Sequence, residues 1–350
     1  MTATRTTMAD VARAAGLSIS SVSNAYNRSE KLSPATRERV LGVAASLGYA
    51  GPDPTARNLR RRRTGGVGVV FTDDLAFAFS DPASSGFLAG MGEELMVHGN
   101  HLVLLPTGTP DHDRLAHIDR AAVDGVVLHS VPSRNPTLDL IRRRGTPAVV
   151  VDQPGPVPGL GWVGLDEHAS MRAVGEHLRR LGHRHVGVVS SRLSTRPYDG
   201  PAGSLRRRRS AYEIPRLRTA GLEEGLGRPV RVAERWEVSE DAGADAAAEL
   251  WRCHPRVTAI VCVADTYALG VLRWARSHHV EVPHHLSVTG FDDAPRARDA
   301  GLTTVAQPFA LKGRSAAALL LQMVDGEPAR AQTLTTSLLV RATTGPPVSR

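Results

Sequence analysis

"ADVARAAGLSISSVSNAYNRSEKLS", residues Ala9–Ser33, reads as a small, polar two-helix unit with little surface of its own to bury. Val11, Ala12 and Ala15 recur at helical spacing. Gly16 stands where a helix ends in a left-handed residue, and Ser18 suits the N-cap of a second helix. That second helix turns Val22 and Tyr26 inward, four residues apart. Its other side carries Ile19, Ser20, Ser23, Asn24 and Asn27. A third helix is predicted from Ser33-Pro34, a cap followed by an N1 proline; it buries Val40, Val43 and Leu47 and stops at Gly48. Two short helices about a glycine turn, with a third behind, make a helix-turn-helix whose second helix fits the major groove of DNA. Small polar side chains there can approach base edges.

Charge points the same way. Residues 1–63 hold eleven basic and four acidic side chains, so +7 of the net +8 lies there and the remainder carries +1. Positive charge gathered at one end suits a polyanion. "AGPDPTARNLRRRRTGG" (50–66) follows, and Asp53-Pro54 is another cap-and-proline start. Ala56, Leu59 and Arg60 would share one face of a helix too brief to be stable alone. Arg60, Arg61, Arg62 and Arg63 suit phosphate contacts, each about one unit of salt slope; a flexible solvated linker is the plainer alternative.

The chain has 350 residues, enough for two or three domains. Its two cysteines, Cys253 and Cys262, form no Cys-x-x-Cys pair and read as reduced core residues. There is no run of about 18 apolar residues for a membrane span. The start "MTATRTTMAD" lacks the apolar core of a secretory signal, so a cytoplasmic location is expected.

From Val67 onward, apolar runs alternate with amphipathic segments. The strands read "VGVVF", "HLVLL", "GVVLHS", "PAVVVD", "HVGVVSS", "AIVCVAD" and "LSVTGFDD"; the helices include 86–97, 170–181, 242–250 and 268–276. Continuous apolar strands between helices indicate parallel sheets covered on both faces. They are too many for one compact sheet, and "VVVDQPGPVPGLGWVGLD" (149–166) reads as a crossing between two lobes. Ligands of such sheets bind beyond the carboxyl ends of the strands. Those ends are polar here: Thr72, Asp73, Asp74, His129, Ser130, Asp152, Ser190, Asp265 and Asp292. Singly, each also reads as a helix cap; together they suit a pocket for a polyhydroxy or similarly polar small molecule.

Enzyme signatures are missing from the sequence. The glycines of "GGVGVVF" precede the strand instead of following it, and there is no phosphate-loop Lys-Ser/Thr, His-Glu-x-x-His or nucleophile elbow. Paired histidines (His183/His185, His278/His279, His284/His285) lack partners at metal-ligand spacing, so neither catalysis, a metal nor a cofactor is expected.

"MADVARAAGLSISSVSNAYN" and "LSPATRERVLGVAASLGY" resemble the headpiece of the lactose/galactose-repressor family of bacterial transcription factors. "LRRLGHRHVGVVS", "GFDD", "LTTVAQP" and "LLVRATTG" resemble landmarks of its core. The resemblance implies an all-α helix-turn-helix headpiece (1–50), a hinge helix with basic linker (51–65), and a two-lobed, doubly wound α/β core like periplasmic binding proteins (66–345). By that match Ile19, Ser20 and Asn24 would read bases, while Ser18, Ser21, Asn27, Ser33 and Arg60 would hold phosphates. Ala56 would allow close approach of two hinge helices and Leu59 would wedge into the minor groove. Phe77, Phe79, Asp152, Arg208, Asp265 and Asp292 would line the effector site.

The implied function is a homodimeric, effector-controlled transcription factor, most simply a repressor, on a near-palindromic double-stranded operator. Two departures stand out. Ala264 occupies a place where sugar-sensing members carry asparagine or serine, and "RLSTRPYDGPAGSLRRRRSAYEIP" (192–215) is long and basic, with Pro215 expected to disrupt a helix. Its arginines, Arg206 to Arg209, suit either an anionic effector or a solvated surface. Two rivals are a solute-binding protein, which calls for an export signal and no basic headpiece, and an effector-blind DNA-organising protein.

Overall fold

The computed structural model describes residues 6–27, 29–51, 63–71, 75–106 and 118–348. It divides into two compact units, Met1–Gly65 and Gly66–Arg350.

In the first unit, α1 (Met8–Ala15) opens on a capping box between Thr7 and Asp10 and closes on Gly16 at φ +63°. The left-handed turn costs a glycine little and any other residue more. Helix α2 (Ile19–Asn27) follows, with the Ser18 hydroxyl accepting from the Ser21 N–H at 3.1 Å. Helix α3 (Pro34–Ser46) starts on Ser33, whose hydroxyl accepts from the Thr36 N–H. Val11, Ala12, Val22, Ala25, Val40 and Ala44 form the core, with Val43, Tyr26 and Tyr49 packed against it. Tyr26 meets Tyr49 edge-on at 6.0 Å. Leu47, expected inside, is 39% exposed: the helix ends at Ser46, and Ala44 takes the buried position one turn earlier.

The second unit is built on two sheets. One runs β12 (Ala331–Leu334), β5 (Gly161–Leu165), β4 (Ala148–Val151), β3 (Gly125–His129), β1 (Gly66–Phe71), β2 (His101–Pro106), with parallel pairing throughout. The other runs β13 (Ser337–Leu339), β11 (Thr303–Ala306), β10 (Ser287–Asp292), β9 (Ala259–Cys262), β6 (Val186–Ser191), β8 (Arg231–Arg235), β7 (Gly200–Pro201). Its inner pairs are parallel, and β13 and β7 are antiparallel edges. Val69, Val127, Val149, Val188, Ile260 and Val288 are among the fully buried strand residues, as expected of sheets covered on both faces.

The chain crosses between the lobes three times. It leaves β5 through Asp166 into α7 (Glu167–Leu181), returns from β11 through Gln307-Pro308 into α13 (Phe309–Val324), and passes from β12 to β13 through Thr335 and Thr336. The segment 149–166 is therefore not itself the crossing: β4 and β5 are neighbours in one sheet, and only Asp166 begins the change of lobe. Pro215 does not break its helix. It occupies the first turn of α9 (Glu213–Leu226), where the missing N–H has no intrahelical partner to lose. No helix among the described residues is long and apolar enough to cross a membrane.

Candidate functional site

In the first unit, Ile19 is 52% exposed, Ser18 and Ser20 are exposed and Asn24 is half-buried. Packing of Val22 and Ala25 on the core turns this face outward. The Ser18 hydroxyl lies 2.7 Å from that of Ser20 and 2.9 Å from that of Ser21, so the three form one small polar cluster at the start of α2. Ser33 is exposed at the start of α3, and Asn27 ends α2. Free N–H groups and the helix dipole make such N-termini attractive to phosphate. Ala56, Leu59 and Arg60 lie outside the described residues.

In the second unit a cavity of about 990 Å³ opens between the two sheets. Its walls are strand ends and the loops after them, and three non-glycine residues there adopt left-handed backbone: Ser130 (φ 52°), Asp152 (φ 67°) and Asp292 (φ 134°). Such conformations cost on the order of 1–3 kcal/mol each and persist where surrounding structure imposes them.

From the first lobe, the Asp152 carboxylate sits 2.7 Å from the Lys312 ammonium, which also donates to Gln307 Oε1 at 2.7 Å. The Gln307 amide donates in turn to Asp292 of the second lobe. This polar chain runs from lobe to lobe through a crossover residue. On the second lobe's wall, Arg218 is buried and forked onto Glu167, with Nε–Oε2 at 2.6 Å and Nη2–Oε1 at 3.2 Å. It also donates to the Val263 carbonyl and lies over the Phe291 ring at 3.5 Å. Burial opposes its charge most, but Glu167, Asp292 and Asp152 together raise its pKa above the ordinary value. Asp292 is held well above the usual carboxylate range by burial and then by Asp265, with Arg218 pulling the other way. Aromatic rings flank these groups: Phe77, Phe87 and His129 on one side, Tyr212 and Trp236 on the other. The Arg192 guanidinium stacks 5.4 Å from the Tyr212 ring and 5.2 Å from that of Trp236.

Of the residues expected at this site, Phe77, Asp152 and Asp292 line the cavity. Phe79 does not: two residues beyond Phe77 on a short helix, α4 (Leu75–Ser80), it points elsewhere and is 62% exposed. Arg208 does not either. It ends the short helix α8 (Ser204–Arg208) on the surface, whereas Arg218, ten residues on, lines the cleft, as do Arg134 and Arg192. Asp265 is buried but turned inward, its carboxylate accepting from the Thr304 hydroxyl and the Ala294 N–H. Ala264 lines the cavity in its place. The basic run is largely spoken for: Arg206 pairs with buried Glu234 and Arg207 with Glu223. Sequence reading missed Lys312, Gln307, Arg218, Trp236 and Arg192. The first left a trace, being one of only two lysines in a chain otherwise using arginine.

Among known proteins, residues 7–51 match the family model described as bacterial regulatory proteins, lacI family, and residues 176–344 match a periplasmic binding protein-like domain. The chain is 38% identical over 351 residues, 98% of each chain, to an HTH-type transcriptional regulator of Mycobacterium tuberculosis. The crystal structure of a LacI-family transcriptional regulator from Corynebacterium glutamicum superposes with TM-score 0.74 at 35% identity, over 97% of this chain and 99% of that one. A complex of the transcriptional regulator CelR with cellobiose superposes with TM-score 0.70 at 28% identity, over 97% and 100%.

Proposed function

The chain belongs to the lacI family of bacterial regulatory proteins and is a DNA-binding transcriptional regulator, and on that premise we propose that a polyhydroxylated metabolite bound in the cleft sets its affinity for operator DNA. The observation that carries this reading is the pair of facing polar walls, Asp152 and Lys312 on one lobe, Arg218 and Asp292 on the other. A ligand can shift a two-state equilibrium only by its differential affinity for the states. Moving it from 1:99 to 99:1 needs about 5.5 kcal/mol. Hydrogen bonds to charged groups contribute roughly 1.5–3 kcal/mol each, so a few that form only when both walls meet the ligand suffice. Ring faces suit the apolar flats of a sugar, and the cellobiose held by CelR supports a carbohydrate or close relative.

In this reading the protein is a cytoplasmic homodimer repressor. Ile19, Ser20 and Asn24 read bases in each half of a near-palindrome, while Ser18, Ser21, Asn27, Ser33 and Arg60 hold phosphates. Leu59 wedges into the minor groove beside Ala56. The test is operator footprinting on the organism's own promoter fragments, then a melting and operator-binding series with mono- and disaccharides including cellobiose. A sugar that raises Tm and changes operator Kd at least tenfold, with both effects lost in Arg218→Lys, supports the reading. Operator binding that no sugar moves, with no melting shift, would favour the effector-blind organiser. At the headpiece, Asn24→Ala is expected to relax preference at one base pair by about 1–3 kcal/mol and leave non-specific affinity intact. A uniform loss across sequences would place Asn24 on a phosphate.

A further inference from the structure

The lobes meet at a second place besides the crossovers. Two first-lobe loops, those after β3 and β4, touch the start of α9, which packs on α7 and belongs to the second lobe. The Glu213 carboxylate spans them: Oε1 accepts from the Ser133 hydroxyl at 3.1 Å and Oε2 from the Gly155 N–H at 2.9 Å. Around it, the Ser133 N–H donates to the Ala211 carbonyl at 3.0 Å, and the Ile214 N–H to Gln153 Oε1 at 2.9 Å. Gln153 is itself braced, its amide donating to the Ser130 hydroxyl at 3.0 Å. The Ala211 end is fixed to its own lobe by a 2.7 Å bond to the Leu193 carbonyl.

Position makes this more than local packing. The crossovers leave from the β12–β5 edge of one sheet and the β13–β11 edge of the other, whereas the bridging loops follow strands further across. A bond made there constrains rotation about the crossovers with leverage that a contact beside them lacks. Glu213 is not itself among the residues lining the cavity, although its neighbours Tyr212 and Ile214 are.

We propose that Glu213 is a positioning residue, a clasp whose carboxylate ties two first-lobe loops to the second lobe and so sets the lobe angle that an effector has to match. The proposal rests on the cleft being the effector site. It adds the residue that biases the lobe equilibrium without touching the ligand. A charged acceptor with two donors on separate loops holds both at once; an amide of the same shape keeps one acceptor oxygen and loses the charge.

The test compares wild type, Glu213→Gln and Glu213→Ala as full-length chains. Spin labels sit on exposed Cys253 in the second lobe and on Asp139→Cys, an exposed site on α6 (Pro136–Arg144) in the first; Cys262 is buried. Glu213→Ala is expected to lengthen and broaden the inter-label distance and to speed hydrogen exchange at the Gly155 amide by roughly tenfold or more. Glu213→Gln should fall between it and wild type, and it carries the test alone should the alanine variant not fold. Unchanged distances in a folded variant would overturn the clasp, even with faster Gly155 exchange. Neither readout uses DNA or a ligand. Failure here therefore leaves the regulator reading standing, and failure of effector binding leaves the tie between the lobes but removes its role in matching an effector.

Discussion

Arg218 and Arg208 separate what a side chain is from where it sits. Arg218 is buried against Glu167, so truncating it strands a buried carboxylate, which costs about 3–5 kcal/mol. Arg208 is exposed and, among the described residues, has no buried carboxylate to abandon. Arg218→Ala is therefore expected to lose several kcal/mol of stability in urea titration and to abolish effector response. Arg208→Ala should stay within about 0.5 kcal/mol of wild type and respond normally. Equal losses would mean that the surface run contributes to the cleft after all. The family resemblance pointed to Arg208, through a register that runs across a stretch unusually long and basic here. What decides between them is partners far along the chain, Glu234 for Arg206 and Glu223 for Arg207, and no local pattern reveals those. Asp152 and Asp292 were legible because each directly follows or ends an apolar strand, where α/β sheets place ligands. Asp265 looked equivalent at the end of "AIVCVAD", but β9 stops at Cys262 and the Thr304 hydroxyl captures the Asp265 carboxylate.

At the scale of elements, the caps Ser18 and Ser33 made two helix starts of the first unit readable, whereas in the second unit helix existence was readable and the starts were not. The apolar pattern begins a turn late, so the expected starts at residues 86, 170, 242 and 268 become Pro82, Glu167, Glu240 and Asp265. Asp81, Asp166 and Ser239 cap three of these helices with side-chain oxygens, and those caps mark the true boundaries. Strand partners were beyond reading, because crossovers bring together segments distant in sequence; β12, mostly exposed, carries too weak an apolar signal to be seen at all. Helix contacts hide similarly in single glycines. On α5 (Pro82–Val97), a Cβ at Gly90 would lie 2.0 Å from the Ala310 carbonyl oxygen of α13, whereas one at Gly92 meets nothing within 4 Å. Gly92→Ala is expected to stabilise the protein by about 0.5–1 kcal/mol through helix propensity. Gly90→Ala should lose about 1–3 kcal/mol, because two backbones would have to part. Chemical denaturation of both variants checks the pair, and a stabilised Gly90→Ala would show that α5 and α13 are not so closely packed.

At the scale of the whole molecule, stability should depend on pH through groups that folding leaves neutral. His183 joins the second lobe's core to the closing segment of the chain: its ring nitrogens meet the Thr258 hydroxyl at 2.9 Å, the Ser287 hydroxyl at 3.1 Å and the Gly345 carbonyl at 2.9 Å. Burial pushes its pKa down from 6.5 to about 4, against the Gly345 carbonyl, which favours the proton. Between those values the unfolded chain binds a proton that the folded one does not, so stability rises with pH there and is lost as pH falls from about 6.5 to about 4. The full span corresponds to on the order of 3 kcal/mol. Burial lowers His177 and His254 as well, and these act with the same sign. Asp292 and Asp265 act against them. Both are raised above the ordinary carboxylate value by burial, so the folded chain holds extra protons and its stability falls as pH rises through their folded pKa values. The net slope in wild type mixes both signs, and His183 has to be isolated by difference. His183→Gln keeps a hydrogen-bonding group and removes the titration. Its urea stability is expected to lie below wild type at pH 7 and to close on or pass it by pH 4.5, as wild type alone takes the loss. Parallel curves would mean that His183 keeps an ordinary pKa in the fold, and that acid sensitivity resides elsewhere.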